Sequence, residues 1–342
     1  MNDFDVVIVG GGLAGLALLN KINKNEARVL LLDDSKRKQQ PSSRPLVLTA
    51  GNAAWLDYKS GYALNEVKIS IAQKPGILRL QSEQHGLENF GYVVDAVLLQ
   101  KKLLEANREY IRGGVSVIDV TETADNVSLI LSDNSTISTD ILVAADGAGS
   151  SISRGLAMPK VNCSSLDIAI IPNVSIEHTK PAQLRFVAGG TLAFLPTSSN
   201  TGTIVATGSA TNSNMQQLWA RHLPLLSEPV NRINYQQECF YLSNLATKRV
   251  VFIGNAAHNL PPVGAQGFNL TCSTIAELAN DFALDRYKKV ARLKVLSTFN
   301  ACDFLIKQNH SKVSVLSGLG LMFLGSVNFL KSEVIARGMQ KH

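Results

Sequence analysis

The chain has 342 residues, of which 45% are apolar and 18% charged, a composition that excludes disorder as its main state and provides enough length for two domains. Cys163, Cys239, Cys272 and Cys302 stand far apart with no Cys-x-x-Cys pair and the six histidines have no ligand spacing, so neither a zinc site nor a disulfide framework is expected and no metal is assigned. The net charge of +6 is uneven: from Arg286 to His342 there are ten basic residues against Asp303 and Glu333, the rest of the chain has no basic excess, and no nucleic-acid partner is expected.

The start, Met1-Asn2-Asp3-Phe4-Asp5, has no basic n-region; a signal peptide is not expected, and a reducing cytoplasm is the expected compartment. Val6-Val7-Ile8-Val9 is a continuous apolar run of the kind that forms a strand buried on both faces of a parallel sheet. Gly10-Gly11-Gly12-Leu13-Ala14-Gly15 follows. In this pattern Gly10 permits the tight turn, Gly12 lets backbone approach a pyrophosphate, and Gly15 allows the next helix to pack on the strand. The pyrophosphate would meet the N–H groups around Leu13 and Ala14 at the helix start. Val29-Leu30-Leu31-Leu32 reads as the second strand and ends in Asp33, near the ~20-residue spacing of an acid that accepts hydrogen bonds from an adenosine ribose. A carboxylate there disfavours a 2′-phosphate, so the loop is read as a site for FAD or NAD. The bare glycine pattern recurs in ordinary turns; the strand, helix and acid around it carry the assignment.

Gly91 to Asp95 reads as a strand entering an amphipathic helix over Leu98 to Ala106. Val115 to Val120, Ser128 to Leu131 and Ser135 to Ser138 read as an antiparallel meander with a turn at Asp133-Asn134. Ile141 to Ala145 is again a buried strand, and it delivers Asp146-Gly147, with Arg154 beyond. From Asp167 to about Thr211 the period shortens to two, as in Ala182 to Val187 and Gly202 to Thr207, which predicts a second, β-rich domain. Trp219 to Leu226 reads as helical, and the chain is expected to return to the first domain at Phe240. An apolar strand, Arg249 to Ile253, then leads into Gly254-Asn255-Ala256-Ala257-His258, a Pro261-Pro262 turn, and Gln266-Gly267-Phe268-Asn269 at the start of a helix.

Val313 to Leu330 is an uncharged run of 18 residues between Lys312 and Lys331. Its serines, glycines and Asn328 argue against a span, although the length touches the ~17–25-residue range. Two readings stay open: an amphipathic helix lying on an anionic bilayer, or a helix pair docked on the protein itself.

Taken together, the Gly10 loop, Ser43 to Thr49 with Arg44, Gly91 to Val94, Asp146-Gly147, the Arg185 to Pro196 block and Gly254 to Leu270 resemble the ubiquinone-biosynthesis hydroxylases. These are FAD monooxygenases with the fold of p-hydroxybenzoate hydroxylase, and the wording is especially similar to the 2-polyprenyl-6-methoxyphenol hydroxylase branch. The resemblance implies an α/β plus β architecture: a Rossmann-like FAD-binding domain formed by 1–65, 91–160 and 240–285, a β-rich substrate domain formed by 66–90 and 161–239, and a basic, apolar helical segment, 286–342. It implies that Gly10, Gly12, Leu13, Ala14, Gly15, Asp33, Arg44, Asp146, Gly147, Asn255, Gln266, Gly267, Phe268 and Asn269 bind FAD, with Arg44, Pro261 and Pro262 next to the flavin ring. It further implies NAD(P)H as electron donor, O2 and a polyprenylated phenol as substrates, and hydroxylation by way of a C4a-hydroperoxyflavin. An anionic membrane surface and other quinone-biosynthesis enzymes are the implied partners, with the protein peripheral to the inner face of the membrane.

The chain departs from the pattern at Asn255, where most relatives have Asp, at Gly264-Ala265, which inverts the usual order, and at Thr271-Cys272-Ser273, which replaces a run that commonly includes Arg-Asp. A dedicated base is not identifiable. A neutral His258 could relay a proton near neutral pH, while a structural histidine in a turn is the plainer reading. An FAD-dependent reductase of a prenylated substrate, or an FAD-binding scaffold without turnover, would share the same cofactor motifs.

Overall fold

The computed structural model describes residues 2–34, 45–72, 77–176, 181–187, 189–211, 232–279 and 282–307. Arg44, the expected helix over Trp219 to Leu226 and the apolar run from Val313 to Leu330 lie outside these residues.

The first strand, β1 (Phe4–Val9), pairs in parallel with β2 (Val29–Asp33) on one side and with β11 (Thr136–Ala144) on the other. β8 (Ile111–Gly113) extends this sheet beyond β2, and β17 (Val250–Phe252) pairs in parallel with the end of β11. Helices α1 (Leu13–Leu19), α3 (Ala96–Ala106), α4 (Ser151–Gly155), α5 (Gln266–Ile275) and α6 (Leu284–Lys307) accompany this sheet. Val7, Ile8, Leu142, Val143, Val250 and Val251 are fully buried, as apolar runs without alternation require when both faces of a strand are covered.

The meander and the buried strand expected separately at Ser135 to Ser138 and Ile141 to Ala145 are one strand, β11. Its first half pairs antiparallel with β10 (Val127–Leu131), which in turn pairs with β9 (Val117–Glu122); its second half lies between β1 and β17. A straight strand satisfies both pairings, so no turn intervenes where the sequence changes from alternating to continuously apolar.

The second sheet has eight strands in the order β18 (His258–Asn259), β16 (Ile233–Leu242), β12 (Lys160–Ser175), β15 (Thr201–Gly208), β14 (Gly190–Pro196), β13 (Ala182–Val187), β5 (Glu66–Ile71) and β6 (Ile77–Gln81). Its two faces build two cores. Leu184, Phe186, Ile69 and Ile71 pack with Val263 and with Leu305 of α6, whereas Leu192, Phe194, Ile204 and Ala206 pack with Ala169 and Ile171 on the opposite face. Between the sheets lies a third one, β3 (Pro45–Thr49), β7 (Gly91–Asp95) and β4 (Tyr62–Ala63). Its alternation divides it cleanly: Leu46, Leu48, Tyr92 and Val94 join the first core, and Val47, Tyr62 and Val93 join the second.

Local signals set the ends of several elements. Asp95 caps α3 by accepting from the Val97 and Leu98 N–H groups at 2.7 and 3.4 Å, and Thr49 caps α2 (Ala50–Trp55) through the Asn52 N–H. On α6, the buried Tyr287 hydroxyl donates to the Phe252 carbonyl at 2.7 Å, which anchors the helix to β17. No helix among the described residues is long and apolar enough to cross a membrane.

Candidate functional site

Gly10 leaves β1 with φ +114°, and a Cβ there would strike the Ala145 carbonyl at the exit of β11. A Cβ on Gly15 would strike the Gly10 carbonyl. The first requirement brings the glycine loop against the Asp146-Gly147 turn; the second brings α1 down onto the loop. Gly12 caps α1 without any side-chain hydrogen bond, so the N–H groups around Leu13 and Ala14 meet no side-chain cap.

Asp33 is tied into the same loop. Its Oδ1 accepts from the Gly11 N–H at 3.0 Å, and a Cβ on Gly11 would lie 2.8 Å from its Cγ. Thus the middle glycine is required by the acid that ends β2. Gln100 on α3 completes the arrangement, its Nε2 donating to the Gly11 carbonyl at 2.8 Å. Gln100 carries no motif of its own; its only signal in the sequence is a polar position on an amphipathic helix.

The Asp146 carboxylate accepts from the Ser151 N–H at 2.9 Å and the Ser151 hydroxyl at 3.3 Å through Oδ2, while Oδ1 is buried and has no partner among the described residues. A buried carboxylate oxygen without a donor is costly, and a hydroxyl of a bound ribose or ribityl chain would satisfy it. Gly147, at φ +93°, has open space where a Cβ would stand.

The second motif meets the first through Gly254, which turns at φ +56° and would put a Cβ 2.6 Å from the Ala14 Cβ. Asn255 is exposed at this turn. Beyond it, Pro261 and Val263 are buried, Pro262 is half-buried, and Gly264 and Ala265 are both left-handed, at φ +64° and +57°. Ala265 is the N-cap of α5 and supplies no side-chain acceptor, so the N–H groups at Gln266, Gly267 and Phe268 begin a helix with its positive end uncapped. Outside its own helix, a Cβ on Gly267 would meet no atom of the described residues within 4 Å. Gln266 folds back to donate to the Gly264 carbonyl at 3.1 Å.

Asn269 differs from the other motif residues because its amide is fully engaged inside the protein. Oδ1 accepts from the Thr49 N–H and from Asn52 Nδ2, and Nδ2 donates to the Val47 and Ala265 carbonyls. All four positions of the amide are taken. Its side chain fixes α5 against β3 and α2.

His258 is buried, and neither ring nitrogen has a hydrogen-bond partner among the described residues; desolvation pulls its pKa down to about 4. A neutral, buried ring with no proton-transfer partner among the described residues is not equipped as a relay. Burial pushes the Cys239 thiol up to about 11 and the Cys302 thiol up to about 12, and raises Cys272 as well. Arg185, half-buried and held below its usual range by desolvation, donates to the Ser70 hydroxyl at 3.3 Å on the sheet face opposite Leu184 and Phe186.

The residues of the site fit FAD: an orphaned carboxylate oxygen, two glycines with open space above them, uncapped helix starts at Leu13 and at Gln266, and a close approach of the two motifs where Gly254 meets Ala14. A family model described as "FAD binding domain" matches residues 97–301, and one described as "Lycopene cyclase protein" matches residues 5–164. The ubiquinone hydroxylase UbiL of Rhodospirillum rubrum is 23% identical, the match covering 80% of this chain and 71% of that protein. The human mitochondrial ubiquinone biosynthesis monooxygenase COQ6 is 21% identical, over 81% of this chain and 76% of its own. The solved structure of p-nitrophenol 4-monooxygenase PnpA from Pseudomonas putida DLL-E4 superposes with a TM-score of 0.71 at 16% identity, covering 98% of this chain and 97% of that one. The chain belongs to the FAD binding domain family and has a ubiquinone hydroxylase and a ubiquinone biosynthesis monooxygenase among its relatives.

Proposed function

We propose that this protein is an FAD-dependent monooxygenase that hydroxylates the aromatic ring of a polyprenylated phenol during ubiquinone biosynthesis. The observation that carries this reading is the meeting of two surfaces. Leu184, Phe186 and, half-buried, Ala193 and Leu195 on one face of the eight-stranded sheet pack with Val263, directly after the Pro261-Pro262 turn of the cofactor motif. An apolar wall beside that turn suits an electron-rich ring with a hydrocarbon tail.

In this reading, residues 1–65, 91–160 and 240–285 hold the cofactor, and 66–90 with 161–239 hold the phenol. Gly10, Gly12, Leu13, Ala14 and Gly15 carry the pyrophosphate, Asp33 the adenosine ribose, and Asp146 Oδ1 a further hydroxyl. The N–H groups of Gln266, Gly267 and Phe268 face the flavin ring, with Asn269 holding their helix in position. When bound, FAD supplies the activation of O2 from which one oxygen atom passes to the phenol. The chain's own residues orient both partners and exclude water.

NAD(P)H is the proposed electron donor. The basic excess of the C-terminal segment supports a peripheral place on the inner face of a membrane, where a prenylated substrate and other quinone-biosynthesis enzymes would be met. Disrupting the gene and identifying the accumulated quinone precursor by mass spectrometry tests the assignment. A precursor lacking one ring hydroxyl is expected, and an unaltered quinone profile would overturn it.

A further inference from the structure

The Leu260-Pro261-Pro262-Val263 turn is held in an unusual way. Two consecutive prolines remove two backbone donors, so the turn depends on donors that reach its carbonyls. Inside it, the Val263 N–H donates to the Pro261 carbonyl at 2.8 Å. From outside, Gln237 Nε2 donates to the Leu260 carbonyl at 2.7 Å, and the Cys302 thiol of α6 lies 4.0 Å from the Val263 carbonyl. A thiol is a weak donor; the amide of Gln237 is the strong one.

Gln237 belongs to β16, and the pairing of Gln237 with Leu166, Ile170 with Ile233 and Val205, Val205 with Ala193, and Ala193 with Leu184 puts it on the same sheet face as Leu184. The residue therefore joins the apolar wall to the cofactor turn. Cys239 lies 4.0 Å from the same amide nitrogen. Cys239 and Cys302 are 1% and 0% exposed, the Cys302 thiol lying against the Val263 carbonyl of the turn, while Cys272, 1% exposed, is on α5.

We propose that Gln237 is a positioning residue that clamps the Leu260–Val263 turn to the eight-stranded sheet and so holds the flavin-side wall of the site in place. Its consequence for the cofactor rests on the FAD-dependent reading above; the clamp itself does not.

The test is thiol labelling of the intact chain by iodoacetamide, followed peptide by peptide by mass spectrometry, with FAD affinity measured beside it. In Gln237→Leu, Cys302 is expected to label about tenfold faster than in the wild type while Cys272 keeps its wild-type rate, a factor equivalent to ~1.4 kcal/mol and within reach of one lost hydrogen bond. The Kd for FAD is expected to rise by a similar factor. Gln237→Glu supplies a readout that a filler of space would not move. At high pH its carboxylate opposes the Leu260 carbonyl and the turn opens; at low pH the protonated acid donates as the amide did, and the labelling ratio to wild type at that same pH returns towards one. Cys302 labelling that stays at the wild-type rate in Gln237→Leu, or that rises only in step with Cys272, would overturn the clamp. Faster Cys302 labelling with unchanged FAD affinity would overturn its link to the cofactor.

Discussion

Ala14 and Gly254 stand so close that a methyl group added to Gly254 would come to 2.6 Å from the Ala14 Cβ. Across 240 positions of sequence, the first turn of the dinucleotide helix and the turn of the second motif are thus matched in size. Gly254→Ala is expected to lose FAD on purification and to lower stability by about 2 kcal/mol, through overpacking plus the cost of a left-handed alanine. Adding Ala14→Gly should recover the steric part and leave the backbone part, which a double-mutant cycle followed by denaturant melts and bound flavin would separate.

Asn269 ties α5 to β3 and α2 by hydrogen bonds to the Val47 and Ala265 carbonyls and from Thr49 and Asn52. Asn269→Leu leaves those buried groups without partners and is expected to cost roughly 3 kcal/mol. Asn269→Asp should be at least as damaging, because a carboxylate oxygen then faces two carbonyls. Urea melts of the two variants check both expectations.

Ala265 adopts φ +57°, ψ +35° at the start of α5. The left-handed region costs an L-residue about 1 kcal/mol relative to glycine, so Ala265→Gly is expected to raise stability by about that amount. Gly264→Ala, at φ +64°, should lower it by a similar amount. Thermal melts at fixed FAD concentration distinguish the two signs.

His258 is held neutral by burial, its pKa falling from 6.5 to about 4. Between those values the unfolded chain binds the proton and the folded chain does not, so stability rises with pH through this window and is lost as pH falls below 6.5. The full effect is roughly 3 kcal/mol. His258→Leu should flatten this part of the pH–stability curve, a comparison made by denaturant melts from pH 4 to 7.5.

What was legible in the sequence was what neighbouring residues decide. The apolar runs at Val6 to Val9 and Val29 to Leu32 are parallel strands, the strand Gly91 to Asp95 runs into a helix, and the alternating segment Ala182 to Val187 is a strand of the eight-stranded sheet. Contacts made across the fold left no such trace. The 16-residue strand β12 is long because β16 and β15 pair on either side of it, and nothing in its own mixed sequence announces that length. Gln100 and Gln237 each matter through one hydrogen bond to a carbonyl 89 and 23 positions away. Asn269 resembled a ligand-binding residue because the motif contains it; only the folded chain reveals that its amide is used up internally. Asp33 is the intermediate case, since its position was readable from spacing, yet its bond to Gly11 also explains why the middle residue of the loop is glycine.

The central claim is that oxygen from O2 reaches an aromatic ring held beside the Pro261-Pro262 turn. The most direct measurement is a single turnover in which FAD-loaded, chemically reduced protein is mixed with 18O2 and a prenylated phenol, and the product is examined by mass spectrometry. One 18O atom in a new ring hydroxyl is the predicted result. A reduced, unlabelled product, or a phenol recovered unchanged while the flavin reoxidises, would contradict the account.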